Sequence, residues 1–262
     1  HGWKFDVAGQ CVDMMNEPER YNFKDQVKTR SYPTYEAGGL VWAYLGPADR
    51  KPEPPLFRWT QAPETHRHVN KSWQECNWLQ ALEGGIDTSH APIMHRLLRQ
   101  DTDQPGVRPS LAFVRGAAPE LEVDVTDYGY AYFGVRDLGD GQRYVRGYHY
   151  VMPLSQIRPG ADFSGKDLIA GHLWVPMDDE NCMVYNWEYS YGGPMADKNI
   201  VANELGTGPG TQDERARKIR NVDNDWLIDR RVQQTESFTG IYGINTQDHA
   251  AQESMGPIAD RT

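Results

Sequence analysis

Between residues 121 and 189 the chain repeats one local design, an aromatic and β-branched stretch followed by a turn. Residues 121–125 alternate apolar and acidic side chains. Residues 128–135, 143–152, 168–175 and 183–189 are rich in Val, Tyr and Trp, and the turns include Asp140-Gly141 and Asp178-Asp179. Strands that follow one another without intervening helical patterns predict an antiparallel sheet and exclude a βαβ array. Helical spacing occurs outside this region. Trp78, Leu79, Leu82 and Ile86 recur at three- and four-residue intervals and predict a helix over 73–86. The segment from 225 to 260 has a helical start broken at Gly240 and Gly243. The expected class is α+β, an antiparallel sheet with covering helices.

The first fifty residues read differently. Residues 3–7 and 11–13 suggest a hairpin turning at Gly9-Gln10. Residues 26–32 and 40–44 suggest two more strands, with Gly38-Gly39 between them. A proline-rich run, Lys51-Pro52-Glu53-Pro54-Pro55, then shifts the composition. We therefore expect a β domain at 1–50, a linker at 51–60 and a larger domain at 61–262. Residues 191–224 are polar and predict a surface excursion. The net charge of -10 opposes nucleic-acid binding. No run is long and apolar enough for a membrane span, and we read no charged-then-apolar leader pattern in these residues. The 3 cysteines form no Cys-x-x-Cys pair. That spacing encodes neither a zinc knuckle nor a complete iron–sulfur motif, and the odd count fits a reducing, cytoplasmic compartment.

The chemistry concentrates in Glu83-Gly84-Gly85-Ile86-Asp87-Thr88-Ser89-His90-Ala91-Pro92-Ile93-Met94-His95. On a helix, Glu83, Asp87 and His90 share a face. Pro92 should end or kink that helix near His90, letting His95 swing back toward it. Two imidazoles plus a carboxylate, with coordination positions left open, form the facial triad of non-haem iron(II) sites, although zinc accepts the same donors.

Three motifs in order resemble the Rieske non-haem iron aromatic ring-hydroxylating oxygenases, oxygenase (alpha) subunit, in their phthalate-dioxygenase-like branch. The run Asn77-Trp78-Leu79-Gln80-Ala81-Leu82-Glu83 continues into Asp87-x2-His90-x4-His95 and resembles the mononuclear iron motif. His1-Gly2-Trp3 resembles the end of the Rieske cluster motif. Gly243-Ile244-Asn245-Thr246-Gln247-Asp248, with Glu253-Ser254-Met255-Gly256-Pro257-Ile258, resembles the region that supplies the carboxylate ligand. The resemblance implies His90, His95 and Asp248 as iron ligands, with Glu253 as the alternative to Asp248. It implies Asp87 as the aspartate bridging the iron's histidine to a Rieske ligand on a neighbouring subunit, and His1 as a remaining cluster ligand. A 2Fe-2S Rieske cluster needs two Cys and two His. The chain therefore reads as N-terminally truncated: residues 1–50 resemble the C-terminal part of a Rieske domain and 61–262 a helix-grip-like catalytic domain. The intact protein would carry the cluster, and this fragment would not, which limits it to stoichiometric turnover.

The implied activity is insertion of oxygen from O2 into an aromatic substrate at mononuclear Fe(II), by cis-dihydroxylation or by monooxygenation such as O-demethylation. The implied partners are an NAD(P)H-dependent reductase and two further copies in a homotrimer. Tyr128, Tyr130, Tyr132, Trp174 and Trp187 are candidate pocket aromatics. Arg115, Arg136 and Arg146 are candidates to clamp a substrate carboxylate. His66, His68, His149, His172 and His249 match no constellation; His249, beside Asp248, reads as a bystander or a group supporting a ligand, and His149 as a packing residue within its strand. A zinc hydrolase using the same ligands, and a non-catalytic helix-grip binding module, are the competing expectations.

Overall fold

The computed structural model describes residues 1–98, 118–139, 141–161, 167–195, 202–203 and 205–262. The chain divides into two compact units, His1–Gln61 and Ala62–Thr262.

In the first unit β1 (Lys4–Phe5) pairs antiparallel with β2 (Cys11–Asp13), as the Gly9-Gln10 turn predicted. Residues 26–32 form no ladder; Lys28 makes only an isolated bridge with Gln10. The partner of β4 (Leu40–Ala43) is instead β3 (Thr34–Ala37). Gly38 and Gly39 join them, both in the left-handed region at φ 67° and 81°, the backbone that a two-residue hairpin turn requires. A Cβ on Gly38 would lie 2.5 Å from Trp59 Cζ3. Trp59 belongs to the short helix α1 (Arg58–Gln61) and stacks with Phe57 at 6.3 Å between ring centroids.

The second unit is built on one seven-stranded antiparallel sheet. Its strands are β5 (Arg67–Gln74), β6 (Glu120–Thr126), β7 (Gly129–Gly139), β8 (Gln142–Val151), β9 (Ser155–Ala161), β10 (Asp167–Pro176) and β11 (Cys182–Tyr189). The spatial order is β5-β11-β10-β9-β8-β7-β6. All five strand-like stretches of the sequence lie in it, and two strands were not foreseen. β5 takes Trp73 and Gln74 from the predicted helix, which begins only at Trp78, capped by Asn77 Oδ1 accepting from Leu79 N at 3.0 Å. β9 holds Pro159 and Gly160, which argue against a central strand. The sheet accommodates them because β8 pairs with β9 only through Ile157, whereas β10 pairs with it as far as Ala161. Beyond Ile157, β9 is locally an edge.

Helix α2 (Trp78–Ile86) lies on β10 and β11, and its buried stripe follows the predicted spacing. Ala81 and Leu82 pack with Cys76, Trp174, Cys182 and Val184, while Trp78 and Ile86 seal the margin. The second covering helix is α5 (Ile244–Glu253), which follows the short α4 (Arg230–Thr235) and is entered through Gly243 at φ 90°. Buried glutamines bind the two helices: Gln80 Nε2 donates to the carbonyls of Gln252 and Gly256, both at 2.8 Å. Gly84 and Gly85 cost helix propensity, but they allow close approach. A Cβ at Gly85 would sit 2.0 Å from Cζ2 of the buried Trp174. Gly85→Ala is therefore expected to destabilise the fold by about 1–3 kcal/mol, seen as a lower Tm in thermal denaturation; an unchanged Tm would show that α2 can shift off the sheet.

Candidate metal centre

Helix α2 ends sooner than the spacing suggested. Asp87 is its C-cap, in extended backbone at φ -67°, ψ 129°, and residues 87–90 form a tight turn. A short helix, α3 (Ala91–Met94), follows, with His90 as its N-cap, Pro92 in its first turn and His95 as its C-cap. The turn is held by its own polar groups. Asp87 accepts from the backbone N–H of Ser89 at 2.7 Å and of His90 at 3.0 Å. Beneath it, Thr88 is buried, and its Oγ1 lies 2.6 Å from Tyr148 Oη. Gln156 Nε2 donates to the Gly85 carbonyl at 2.7 Å, satisfying the last turn of α2. Because the helix stops at Ile86, Glu83 leaves the group: its carboxylate pairs with Arg261 at 2.7 Å. The shared helical face predicted for Glu83, Asp87 and His90 is not formed.

The two histidines flank α3 and turn toward α5. One oxygen of Asp248, Oδ1, lies 3.3 Å from His90 Nε2 and 3.1 Å from His95 Nε2. The rings are 5.3 Å apart and nearly perpendicular at 79°. The donor atoms of His90, His95 and Asp248 all fall within 4.8 Å of one another. Cis ligands on a metal at about 2.1 Å are ~3 Å apart, so these separations fit one face of a coordination polyhedron. Glu253, the alternative carboxylate, points elsewhere, to Lys218 Nζ at 3.2 Å and Trp226 Nε1 at 2.8 Å. His249 also diverges from Asp248, as the helical step of ~100° requires, and its Nδ1 meets Lys218 Nζ.

Behind each imidazole stands a second polar group. His90 Nδ1 meets Asp87 Oδ2 at 3.0 Å, and His95 Nδ1 meets Gln247 Oε1 at 2.8 Å. The charges shape the site strongly. Burial pulls the His90 imidazole down, but the hydrogen bonds and charges of Asp248 and Asp87 outweigh it and raise the group to about 9. Burial pushes Asp87 up, yet the His90 and Ser89 bonds dominate and lower it to about 2. Asp248 is likewise held well below the usual carboxylate range, the two imidazoles overcoming burial.

A narrow recess is lined by Asn245, one turn before Asp248 on α5, together with Arg158, His172, Asn186, Asn70 and Trp187. Its polar groups form a directed chain. Arg158 Nη2 bonds His172 Nε2 at 2.8 Å, and His172 Nδ1 bonds Asn186 Oδ1 at 2.8 Å. Asn186 Nδ2 donates to Asn70 Oδ1 at 2.8 Å. A guanidinium can only donate, so His172 is neutral with its proton on Nδ1. Burial first, then the Arg158 charge, push its pKa down to about 3.

The arginines expected to clamp a carboxylate are placed otherwise. Arg136 is buried, and its Nη2 donates to the Thr88 carbonyl at 2.6 Å, under the turn that carries His90. Arg146 Nη2 donates to the Pro159 carbonyl at 2.6 Å, and its guanidinium sits over Tyr148. Arg115 lies outside the described residues. Of the candidate aromatics, Trp187 lines the recess. Trp174 lies in the core under α2. Tyr132 stacks on Tyr148 at 4.7 Å, Tyr130 lies tilted against Tyr150 at 5.0 Å, and Tyr128 bonds His149. His1 is exposed, with its ring 6.5 Å from Trp3. No helix among the described residues is long and apolar enough to cross a membrane.

Comparison with known proteins agrees with this geometry. Residues 43–262 match the family described as LigXa C-terminal domain like. The chain is 34% identical over 275 residues to the 3-chlorobenzoate-3,4-dioxygenase oxygenase subunit of Comamonas testosteroni, covering 99% of this chain and 62% of that protein. It is 34% identical over 278 residues to the phthalate 4,5-dioxygenase oxygenase subunit of Pseudomonas putida, covering 100% of this chain and 61% of that protein. The chain thus spans about three fifths of the length of these relatives. Among solved structures, the terminal oxygenase of carbazole 1,9a-dioxygenase from Novosphingobium sp. KA1 shares the fold. Its TM-score is 0.54 at 16% identity, covering 98% of this chain and 66% of that one. These findings support neither the hydrolase nor the non-catalytic expectation. The family match over 43–262, the α+β fold and the ordered motifs converge: the chain belongs to the LigXa C-terminal domain-like family and, within the Rieske non-haem iron aromatic ring-hydroxylating oxygenases, to the phthalate-dioxygenase-like branch.

Proposed function

We propose that this chain carries the oxygen-activating half of an oxygenase for aromatic acids, with His90, His95 and Asp248 as the ligands of a mononuclear Fe(II). The convergence of their three donor atoms within 4.8 Å carries the reading. Two imidazoles and one carboxylate on one face are the donor set for this metal, which when bound supplies the redox chemistry for dioxygen. The protein's own groups do the rest. Asp87 accepts from His90 Nδ1, which leaves Nε2 free to ligate and raises its donor strength. Asp87 also remains exposed enough to accept a bond from a neighbouring subunit, so it is placed to connect His90 with an external redox centre. Arg136 and Tyr148 hold the Thr88 backbone and side chain so that the ligand turn keeps its shape.

For a 2Fe-2S cluster the residues of this chain do not suffice. The first unit offers His1, and its one thiol, Cys11, is buried with Sγ 3.5 Å from the Asp13 carbonyl. We assign 1–50 to the C-terminal part of a Rieske domain, 51–60 to a linker and 61–262 to the catalytic domain. We further assign to the whole protein the Rieske cluster, an external NAD(P)H-dependent reductase, a homotrimeric assembly and a cytoplasmic location. The two curated relatives are named for benzoate and phthalate substrates, which carry carboxylates. Arg158, half-buried in the recess that Asn245 also lines and bonded to neutral His172, is the group we assign to such an acid.

The test is anaerobic Fe(II) loading of this chain, then oxygen-uptake and product-mass assays on the whole protein with a reductase and aromatic acids. One equivalent of iron is expected. Stoichiometric zinc with hydrolase activity and no oxygen uptake would refute the reading. Proton competition gives a further expected result. His90 is raised to about 9, so it must lose a proton to ligate. Apparent Fe(II) affinity should rise roughly tenfold per pH unit from neutral toward pH 9. The stability that charged His90 gives the metal-free fold runs the opposite way, complete below the ordinary imidazole value and lost as pH rises through about 9. Anaerobic titrations at three pH values check the slope; a flat profile would show that metal binding displaces no proton from His90 in this range.

A further inference from the structure

We infer that Gln247 is a positioning residue for the metal, holding His95 in one tautomer through a neutral amide and so making the two imidazole ligands unequal donors. The inference rests on the metal reading above and on three features of the Gln247 side chain and its surroundings.

The first fixes the orientation of the amide. Gln247 Nε2 lies 2.9 Å from the carbonyl of Ile241. A carbonyl can only accept, so the amide nitrogen must face Ile241. Oε1 then faces His95 Nδ1, at 2.8 Å. An amide oxygen can also only accept, so His95 must carry its proton on Nδ1, and the Nε2 lone pair is directed at the Asp248 side, 3.1 Å away. One backbone carbonyl thus sets the tautomer of an imidazole two hydrogen bonds distant.

The second observation is that the chain is rigidly supported. Gln247 is buried, as are its neighbours Thr246 and Ile241. Its backbone N–H donates to the Gly243 carbonyl at 3.0 Å, within the first turn of α5. The left-handed Gly243 at φ 90° bends the chain so that Ile241 returns over Gln247. Thus α5 delivers two adjacent side chains to one metal: Asp248 as ligand and Gln247 as the brace behind another ligand.

The third is the contrast with His90. Its Nδ1 bonds the carboxylate of Asp87. A negatively charged partner raises the basicity of an imidazole and strengthens its donation; a neutral amide fixes the ring with a smaller effect. His90 is therefore the stronger donor and His95 the weaker.

The test uses Co(II), a spectroscopically visible stand-in for Fe(II), with Gln247→Leu and Gln247→Glu. Loss of the acceptor in Gln247→Leu should weaken Co(II) binding 10–100-fold, with the far-UV signal of the metal-free protein unchanged. Gln247→Glu should bind Co(II) at least as tightly as the wild type and shift its visible ligand-field bands, because both imidazoles then face carboxylates. A merely structural glutamine would change the melting temperature and leave those bands in place. Independently of any variant, 15N spectra of histidine-labelled, Zn(II)-loaded wild type should show His95 protonated at Nδ1. An unprotonated Nδ1, or variants matching the wild type in Co(II) affinity within twofold and in band positions, would overturn the role of Gln247 and leave the metal site standing. Failure of the wild type to bind Co(II) at all would overturn both.

Discussion

Asp248→Ala is expected to abolish metal loading at physiological iron concentrations. Groups that merely support a ligand typically cost 10–100-fold in metal affinity when removed, so loss of a ligand should exceed ~100-fold. Asp248 is the only member of the triad from α5, and its Oδ1 faces both Nε2 atoms, at 3.3 and 3.1 Å. Its removal leaves two imidazoles with no anion to gather a cation between them. A second consequence separates this from general damage. Asp248 is one of two carboxylates that raise His90 to about 9, so in Asp248→Ala the His90 titration should move down while Asp87 still supports it. Calorimetry under anaerobic conditions reads the first effect, and histidine NMR against pH the second. An alanine variant that takes up one Fe(II) with wild-type affinity would remove Asp248 from the site.

Arg158→Gln carries the second large effect. The guanidinium lies in the recess lined by Asn245, backed by neutral His172. Burial and the nearby Arg146 charge push its pKa down, while the charges of Glu188, which lines the same recess, and Asp248 act the other way; an incoming carboxylate would add to that compensation. Removing one partner of a buried, hydrogen-bonded charge pair typically costs 2–5 kcal/mol. In the whole protein with its reductase, kcat/KM for an aromatic acid should therefore fall by about two orders of magnitude, while a neutral arene of similar shape should change little. Arg158→Lys keeps the charge but loses the planar fork, and should fall between the two. Equal losses on acid and neutral substrates would show that Arg158 shapes the recess and does not bind the anion.

The sheet was legible because alternation and β-branched runs report strand formation locally. Residues 121–125 and 183–189 needed no information from the rest of the chain. Strand β9 was hidden for an equally local reason: Pro159 and Gly160 argue against a strand, and only the early end of the β8 pairing makes them tolerable. Arg158 was missed with it. The helix over Trp78–Ile86 was visible in its apolar spacing, but its start was misplaced because Trp73 and Gln74 pair with Met183 and Cys182, a contact more than a hundred residues away.

By itself the sequence determined which residues could hold a metal. His90 and His95 stand close along the chain, and Asp248 follows from the motif near the end of the chain; the break that lets the imidazoles converge comes at Asp87, ahead of Pro92. Only the tertiary structure decided how they are held, because side chains beyond one or two helical turns meet through packing and not through spacing. It sent Glu83 to Arg261, Glu253 to Lys218, Arg136 beneath Thr88 and Gln247 behind His95. Each of these placements depends on where α2 and α5 come to rest on the sheet. That is fixed by Trp174 against Gly85 and by the buried glutamines Gln80 and Gln252 between the helices, long-range contacts that no local pattern encodes.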